Sequence, residues 1–210
     1  MSITSIGTTS ATQATVEDLL TEAPKLLMSG LNLMFRGAYG IGKTAMTHVI
    51  ADAIGHDFEL DHASISDPQD QKGIPCVIEG VAGFLPAGLP RRLMEKNGKP
   101  TLVVLDDFGH AVPTTQSSYM QLLHGGRLND IQLPDNIRWI ICTNRKEDRA
   151  GANDIITPVK GRVVVFDVAV SNKAWLDWAI KNHVHPVIVA LIRNRGEVLH
   201  IWDPKAPGNT

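Results

Sequence analysis

The sequence predicts an α/β fold, a three-layer sandwich in which helices cover both faces of a parallel β-sheet. Four apolar runs alternate with segments of helical character, at residues 31–35, 101–105, 137–142 and 163–166. Nearly all residues of these runs are apolar, so we expect strands that are buried on both faces, as in parallel sheets. Four or five such strands alternating with helices are typical of this fold class.

Composition narrows the class of protein further. The chain has 210 residues, 43% of them hydrophobic, and a net charge of −2, which is enough apolar surface for a core and gives no general attraction to nucleic acid. No run approaches the ~18 apolar residues of a membrane helix. The two cysteines, Cys76 and Cys142, have apolar neighbours and are expected to be free thiols in a reducing cytoplasm.

A segment after the first apolar run fits a phosphate-binding loop. Residues 37–44 match the pattern G-x-x-x-x-G-K-[ST], and residues 45–54 are predicted to form a helix. Glycines let backbone N–H groups point at phosphate oxygens, Lys43 would neutralise phosphate charge, and the Thr44 hydroxyl could ligate Mg²⁺. The flanking strand and helix argue against a chance glycine-rich turn. The loop predicts binding of a nucleoside triphosphate through Gly37, Ala38, Tyr39, Gly40, Ile41, Gly42, Lys43 and Thr44.

Two adjacent carboxylates, Asp106 and Asp107, end the run at residues 101–105. They would lie at the carboxyl edge of the sheet, where open α/β sheets bind ligands. In phosphoryl-transfer sites one carboxylate holds the metal shell and another activates the attacking water. We therefore assign Asp106 to Mg²⁺ and Asp107 to the general base, while an Asp pair can also simply end a strand in a turn.

A polar amide follows the run at residues 137–142. Asn144 could hydrogen-bond the attacking water or the γ-phosphate, or it could support a turn. If the two strands are neighbours, Asn144 lies beside the acidic pair.

The order of these motifs and the sequence between them resemble the AAA+ ATPases, specifically the MoxR-like group and its phage or prophage relatives. The resemblance covers roughly residues 15–203. Residues 67–75 and 83–89 are similar to a hairpin inserted into helix 2 of that group, which lines the central face of the ring. Residues 120–127 resemble the helix and hairpin before the third motif, and residues 175–179 resemble the start of the lid.

The resemblance implies roles for individual residues. It makes residues 37–44 the Walker A loop, Asp106 and Asp107 the end of the Walker B strand, and Asn144 sensor 1. Arg162 matches the arginine finger, which stabilises γ-phosphate charge in the site of a neighbouring subunit. Arg145 and Arg149 are competing candidates, and a solvated surface charge is an equally good interpretation of Arg149.

The chain departs from the family pattern at two points. Asp107 stands where the family has Glu, so its shorter side chain predicts slow hydrolysis. Thr210 ends the chain before the position of the sensor 2 arginine, so we expect an incomplete lid. The expected organisation is a flexible N-terminal arm at 1–14, an α/β core at 15–170 with the inserted hairpin around 72–90, a partial helical lid at 171–203 and a flexible tail at 204–210.

Together these features predict a Mg²⁺-dependent ATPase that assembles into a hexameric ring and remodels a protein client in the cytoplasm of a bacterial or phage-infected cell. Two other classes stay open. The first is an ATP-dependent DNA motor or loader acting through local basic patches, and the second is a nucleotide-gated interaction module with little turnover. A small-molecule kinase would leave the hairpin, Asn144 and Arg162 without roles.

Overall fold

A six-stranded parallel β-sheet forms the centre of the protein, for which the computed structural model describes residues 11–129, 131–145 and 153–200. The strands of these ranges are β1 (Thr12–Ala14), β2 (Leu33–Arg36), β3 (Asp57–His62), β4 (Ile74–Ile78), β5 (Val81–Leu85), β6 (Thr101–Asp106), β7 (Arg127–Leu128), β8 (Ile131–Gln132), β9 (Ile137–Thr143) and β10 (Val164–Val168). The order in the central sheet is β1-β10-β2-β9-β6-β3, and every pairing within it is parallel. The predicted α/β class with a parallel sheet is confirmed.

Helices pack on both faces of the sheet and complete the three layers. The described helices are α1 (Val16–Met28), α2 (Lys43–Ile54), α3 (Pro68–Lys72), α4 (Gly88–Glu95), α5 (Pro113–Gly125), α6 (Thr157–Lys160), α7 (Asn172–Lys181) and α8 (Pro186–Asn194). Strand β6 shows the layering, because Leu102 and Val104 belong to one buried cluster and Val103 and Leu105 to the other. Alternate side chains of a strand point to opposite faces of the sheet, so this apolar run contributes to both cores.

An insertion between β3 and β6 carries a β-hairpin. Strands β4 and β5 pair antiparallel, and the turn residues Glu79 and Gly80 have φ of 50° and 82°. Positive φ at both central residues is the geometry of a two-residue type I′ hairpin turn. The predicted hairpin around residues 72–90 is therefore present, flanked by α3 and α4.

Two strands of the central sheet, β1 and β3, were absent from the sequence prediction. Thr12–Ala14 pairs with β10, so the predicted arm at residues 1–14 is wrong for this part, because buried Ala14 ties it to the core. Residues 1–10 and the predicted tail at 204–210 lie outside the described ranges.

Strand β3 carries charged residues, and Arg92 neutralises two of them through contacts to Glu59 and Asp61 of 2.7 and 2.6 Å.

The C-terminal part of the described chain is helical. Helices α7 and α8 occupy the region predicted as a lid, and Ser171 caps α7 by accepting a hydrogen bond from the Ala174 N–H. Whether these helices act as a lid stays a prediction. Within the described ranges, no helix has the length and apolar character needed to span a bilayer.

Candidate functional site

The glycine loop joins the end of β2 to the start of α2. Gly42 is the N-cap of α2 and has φ of 86°, and Gly40 has φ of 72°, conformations that residues with a Cβ rarely adopt. The first turn of α2 contains no acidic side chain. The N–H groups in the first turn of a helix and the positive end of the helix dipole favour an anion at this position.

Packing against the neighbouring strands fixes the entry to the loop. The N–H of Gly37 donates to the Thr143 carbonyl of β9 at 3.2 Å, and a Cβ on Gly37 would lie 2.9 Å from the Val168 carbonyl oxygen of β10. One residue earlier, the Arg36 guanidinium donates to both carboxylate oxygens of Asp167 at 2.6 and 2.8 Å. Such bidentate pairs have a fixed geometry. The Arg36–Asp167 pair therefore fixes the position of the residue that precedes the loop.

Lys43 is buried at the start of α2 with its ammonium group in the loop. Its Nζ donates to the carbonyls of Gly37 and Ala38 at 3.0 and 2.7 Å and to Asn144 Oδ1 at 3.0 Å. The structure thus brings together the loop lysine and the amide that follows β9. Asn144 contacts the ammonium that would meet a phosphate, so it does more than support a turn.

Asp106 is fixed at the end of β6 through both carboxylate oxygens. Oδ2 accepts a hydrogen bond from the Thr44 hydroxyl at 2.7 Å, and Oδ1 accepts one from the Asp107 N–H at 3.0 Å. A hydroxyl and a carboxylate are ligand types that Mg²⁺ uses, and Mg²⁺ sites usually take few protein ligands and fill the rest with water and substrate phosphates. The Thr44 hydroxyl and the Asp106 carboxylate therefore fit the few protein ligands that a nucleotide-bound Mg²⁺ takes. Among the described residues, no cluster of three or more His, Cys, Asp or Glu could hold a metal ion.

Asp107 has left-handed backbone geometry, with φ of 50° and ψ of 33°. Such conformations in residues other than glycine often mark functional sites, although Asp tolerates them better than most residues. Its side chain is half exposed, and its Oδ1 lies 3.7 Å from Nδ1 of His110. His110 was not among the residues predicted for the site, although its position three residues after Asp107 was a visible signal.

These side chains surround one cavity of about 300 Å³. Of the residues predicted for the site, the lining contains Tyr39, Gly40, Gly42, Lys43, Thr44, Asp106, Asp107 and Asn144. Ala45, which was not predicted, also lines the cavity. Gly37 and Ala38 contribute through their carbonyls to Lys43. The volume is at the small end of ligand pockets, which suits phosphate groups.

The arginine candidates do not line this cavity. Arg162 precedes β10, whose Val164 is in register with Leu33 at the start of β2, so it lies at the sheet edge opposite the glycine loop. Its Nη1 donates to the Pro158 carbonyl at 2.5 Å. Arg145 follows Asn144 and is partly buried, and Arg149 lies outside the described residues.

Cys142 lies on β9, two residues before Asn144, and is fully buried. Burial raises the pKa of its thiol, and the nearby Asp106 carboxylate adds to the increase. A thiol with a raised pKa is a poor nucleophile because the thiolate is the reactive form. Cys142 therefore acts as a core residue at the base of the site.

Comparison with known proteins supports a nucleotide-binding fold. No protein-family model matches the chain. The ATP-dependent Clp protease ATP-binding subunit ClpE of Bacillus subtilis (strain 168) is 26% identical over 104 residues, which are 48% of this chain and 15% of that protein.

Solved structures of RuvB from Thermotoga maritima share the fold. The structure described as the Holliday junction branch migration motor has a TM-score of 0.52 at 15% identity, and the match covers 77% of this chain and 47% of the RuvB chain. A mutant of the same protein has a TM-score of 0.54 at 13% identity, and the match covers 80% of this chain and 50% of the RuvB chain. The chain spans about half the length of these relatives. These likenesses show that the chain has the α/β P-loop NTPase fold, and they do not single out the MoxR-like group.

Proposed function

We propose that the protein binds ATP in the cavity of the glycine loop and hydrolyses it as a subunit of a ring-shaped oligomer.

 The observation that carries this proposal is the convergence of Lys43, Thr44, Asp106 and Asn144 on one cavity. The oligomer is proposed to be a homo-hexamer, in which each site is completed by a neighbouring subunit.

The phosphates of ATP would bind at the N-terminus of α2. There the loop N–H groups and the helix dipole favour an anion. Lys43 would exchange the carbonyls of Gly37 and Ala38 for β- and γ-phosphate oxygens, and its contact with Asn144 would keep both side chains beside the γ-phosphate. Binding would therefore rearrange hydrogen bonds that already exist in the site.

Thr44 and Asp106 would hold Mg²⁺, which neutralises charge on the phosphates when it is bound. Asp107 would accept the proton of the attacking water. Asp107 lines the cavity and has a left-handed backbone conformation. Its side chain is one methylene shorter than that of Glu. We therefore propose a slow hydrolysis step.

Arg162 is proposed as the arginine finger of the neighbouring subunit. It lies at the sheet edge opposite its own glycine loop, so it could serve a phosphate only in another copy of the chain. A finger supplied in trans can contribute roughly 10³–10⁵ in rate. Hydrolysis would then require assembly, whereas nucleotide binding would not.

The surface of the inserted hairpin favours a protein client over DNA. Five of the large apolar side chains that the structure describes on the hairpin are exposed, and the one charged residue in the range 74–85 is Glu79. An apolar surface without positive charge suits a polypeptide, since binding to DNA depends on Lys and Arg contacts to phosphate. The name of the ClpE relative, an ATP-binding subunit of a protease, supports the same choice. The exposed residues are Ile74, Val77, Val81, Phe84 and Leu85.

A nucleotide-gated module with little turnover is the second candidate. It is favoured by the short side chain of Asp107 and by the three protein acceptors that hold Lys43. In this version ATP would change the conformation of the protein, and product formation would be incidental.

Separate measurements of binding and hydrolysis test the proposal. A fluorescent ATP analogue reports binding, and phosphate release reports hydrolysis, for the wild type, Lys43→Ala and Arg162→Ala. We expect Lys43→Ala to lose both activities, and Arg162→Ala to bind normally and to lose hydrolysis. Arg91→Ala is the matched control, because Arg91 is an exposed arginine paired with Glu95 on α4.

The outcomes separate the candidates. Hydrolysis that depends on protein concentration and is lost in Arg162→Ala supports the ring ATPase. Tight binding with no turnover at any protein concentration supports the gated module. Unchanged hydrolysis in Arg162→Ala contradicts the trans role of this residue.

A further inference from the structure

A buried glutamine on α5 connects two parts of the chain that the proposed function uses separately. Gln116 has no exposed surface. Its Nε2 donates to the carbonyls of Ala111 and Asp154 at 3.0 and 3.3 Å, and its Oε1 accepts from the Ile156 N–H at 3.0 Å. One side chain thus holds the backbone after Asp107 and the backbone before Arg162.

The same two segments also contact each other directly. The N–H of Asn153 donates to the Gly109 carbonyl at 2.6 Å, and its Nδ2 donates to the Ala111 carbonyl at 3.3 Å. Gly109 lies in the 3₁₀ turn Phe108–His110, which follows Asp107 immediately. The segment at residues 153–156 is therefore fixed to the turn beside the proposed general base.

The short helix α6 connects this segment to Arg162. Ile156 is the N-cap of α6, which ends at Lys160. Val159 is fully buried in the same core cluster as Phe108 and Ile155, and the Arg162 N–H donates to the Val159 carbonyl at 2.9 Å. The position of Arg162 therefore follows the position of the segment that Gln116 holds.

We propose that Gln116 is a positioning residue that sets Arg162 for the site of the neighbouring subunit. This inference rests on the proposed function, because it requires Arg162 to act in trans. Gln116 touches no proposed substrate atom, and its effect is transmitted through Ile156 and α6. The connection to the turn after Asp107 also gives a physical link between a subunit's own site and the arginine that it donates.

The chemistry of the glutamine suits this role. A buried amide with its donors and acceptor paired holds its partners in one arrangement, and removal of the amide leaves buried backbone groups without partners. A displacement of about 1 Å in a group that contacts the reacting atoms can reduce the rate about 10²-fold. A small shift of the segment would therefore reduce hydrolysis in the neighbour without changing ATP binding.

The first experiment compares Gln116→Met with Gln121→Met. Methionine has a similar length and lacks the amide, and Gln121 is an exposed residue of the same helix. We expect Gln116→Met to keep its affinity for an ATP analogue within about twofold and to reduce hydrolysis about 10- to 100-fold. Gln121→Met should behave as the wild type. A Gln116→Met protein that hydrolyses ATP at the wild-type rate overturns the proposal.

Mixed assemblies distinguish positioning from a general structural role. A Gln116→Met subunit keeps its own cavity, and a Lys43→Ala subunit keeps its Arg162. In the test series, Lys43→Ala subunits are added to Gln116→Met subunits, and hydrolysis should rise. In the reference series, Lys43→Ala subunits are added to Arg162→Ala subunits, and hydrolysis should rise as well. If the reference series recovers and the Gln116→Met series does not, Gln116 acts within its own subunit and the proposal fails. If the reference series stays inactive, Arg162 does not act in trans, and the proposed trans site and this inference fail together.

Discussion

The Thr44 hydroxyl donates a 2.7 Å hydrogen bond to Oδ2 of Asp106, which joins the first turn of α2 to the end of β6. The two residues are 62 positions apart in the chain, and they meet because parallel strands bring their carboxyl ends to one edge of the sheet. This pair supplies the oxygen ligands on which the proposed Mg²⁺ site depends.

Asp106→Asn should remove the effect of Mg²⁺ on nucleotide binding. The amide keeps the shape of the side chain and removes the negative charge that attracts the ion. We expect Mg²⁺ to strengthen binding of an ATP analogue in the wild type and to have little effect in the variant, as measured by titration with Mg²⁺ and with a chelator. Asp52→Asn, an exposed change on α2, is the control. An equal effect of Mg²⁺ on both proteins would contradict the assignment.

Asp107→Glu should hydrolyse ATP faster than the wild type, because the longer side chain brings the carboxylate closer to the attacking water. Asp107→Asn should bind ATP and lose turnover, since an amide cannot accept the proton. Single-turnover kinetics separate this step from product release. The assignment of Asp107 as the base fails if the Asn variant turns over at the wild-type rate.

Gly37→Ala should weaken nucleotide binding. The new Cβ would lie 2.8 Å from Cδ1 of Ile41 and 2.9 Å from the Val168 carbonyl oxygen, so the loop or β10 must shift. Gly125→Ala is the control, because a Cβ at that position meets no atom within 4 Å. Titration with an ATP analogue should show a loss for the first variant alone, and equal affinities would mean that the loop adapts.

Tyr119→Phe should destabilise the protein by about 1–3 kcal/mol. The buried hydroxyl donates to Asp61 Oδ2 at 2.6 Å and accepts from Gln71 Nε2 at 3.0 Å, and both partners would lose a hydrogen bond. Urea denaturation measures the change. Ser117→Ala removes an exposed hydroxyl from the same helix and should change stability by less than about 0.5 kcal/mol. Equal effects of the two changes would contradict the role of the buried hydroxyl.

Alkaline pH should also act through Tyr119. Burial, together with the nearby Asp61 carboxylate, raises the pKa of its hydroxyl in the folded state. Its contribution is complete below the unfolded pKa of about 10 and is lost as the pH rises, since only the unfolded chain releases the proton. The free energy of unfolding should fall by up to ~1.4 kcal/mol per pH unit above that value. Tyr119→Phe should fall less steeply, and parallel curves for the two proteins would contradict this.

Local patterns predicted most of the site and part of the sheet. The glycine loop, the acidic pair and Asn144 could be found because each follows an apolar strand, and parallel strands bring such residues together. Strand β3 was not predicted because its charged residues interrupt the apolar pattern. Arg92, on a helix far along the chain, neutralises two of these charges in the folded protein. The contacts of Gln116 and the left-handed backbone of Asp107 depend on tertiary packing, and no spacing along the chain indicates them.

The rate of ATP hydrolysis per subunit, measured against protein concentration with the oligomeric state followed by native mass spectrometry, tests the central claim most directly. We expect the rate per subunit to rise as oligomers form and to stay near zero in Arg162→Ala at every concentration. A constant rate per subunit in a monomeric protein, unaffected by Arg162→Ala, would contradict a site completed by the neighbouring subunit.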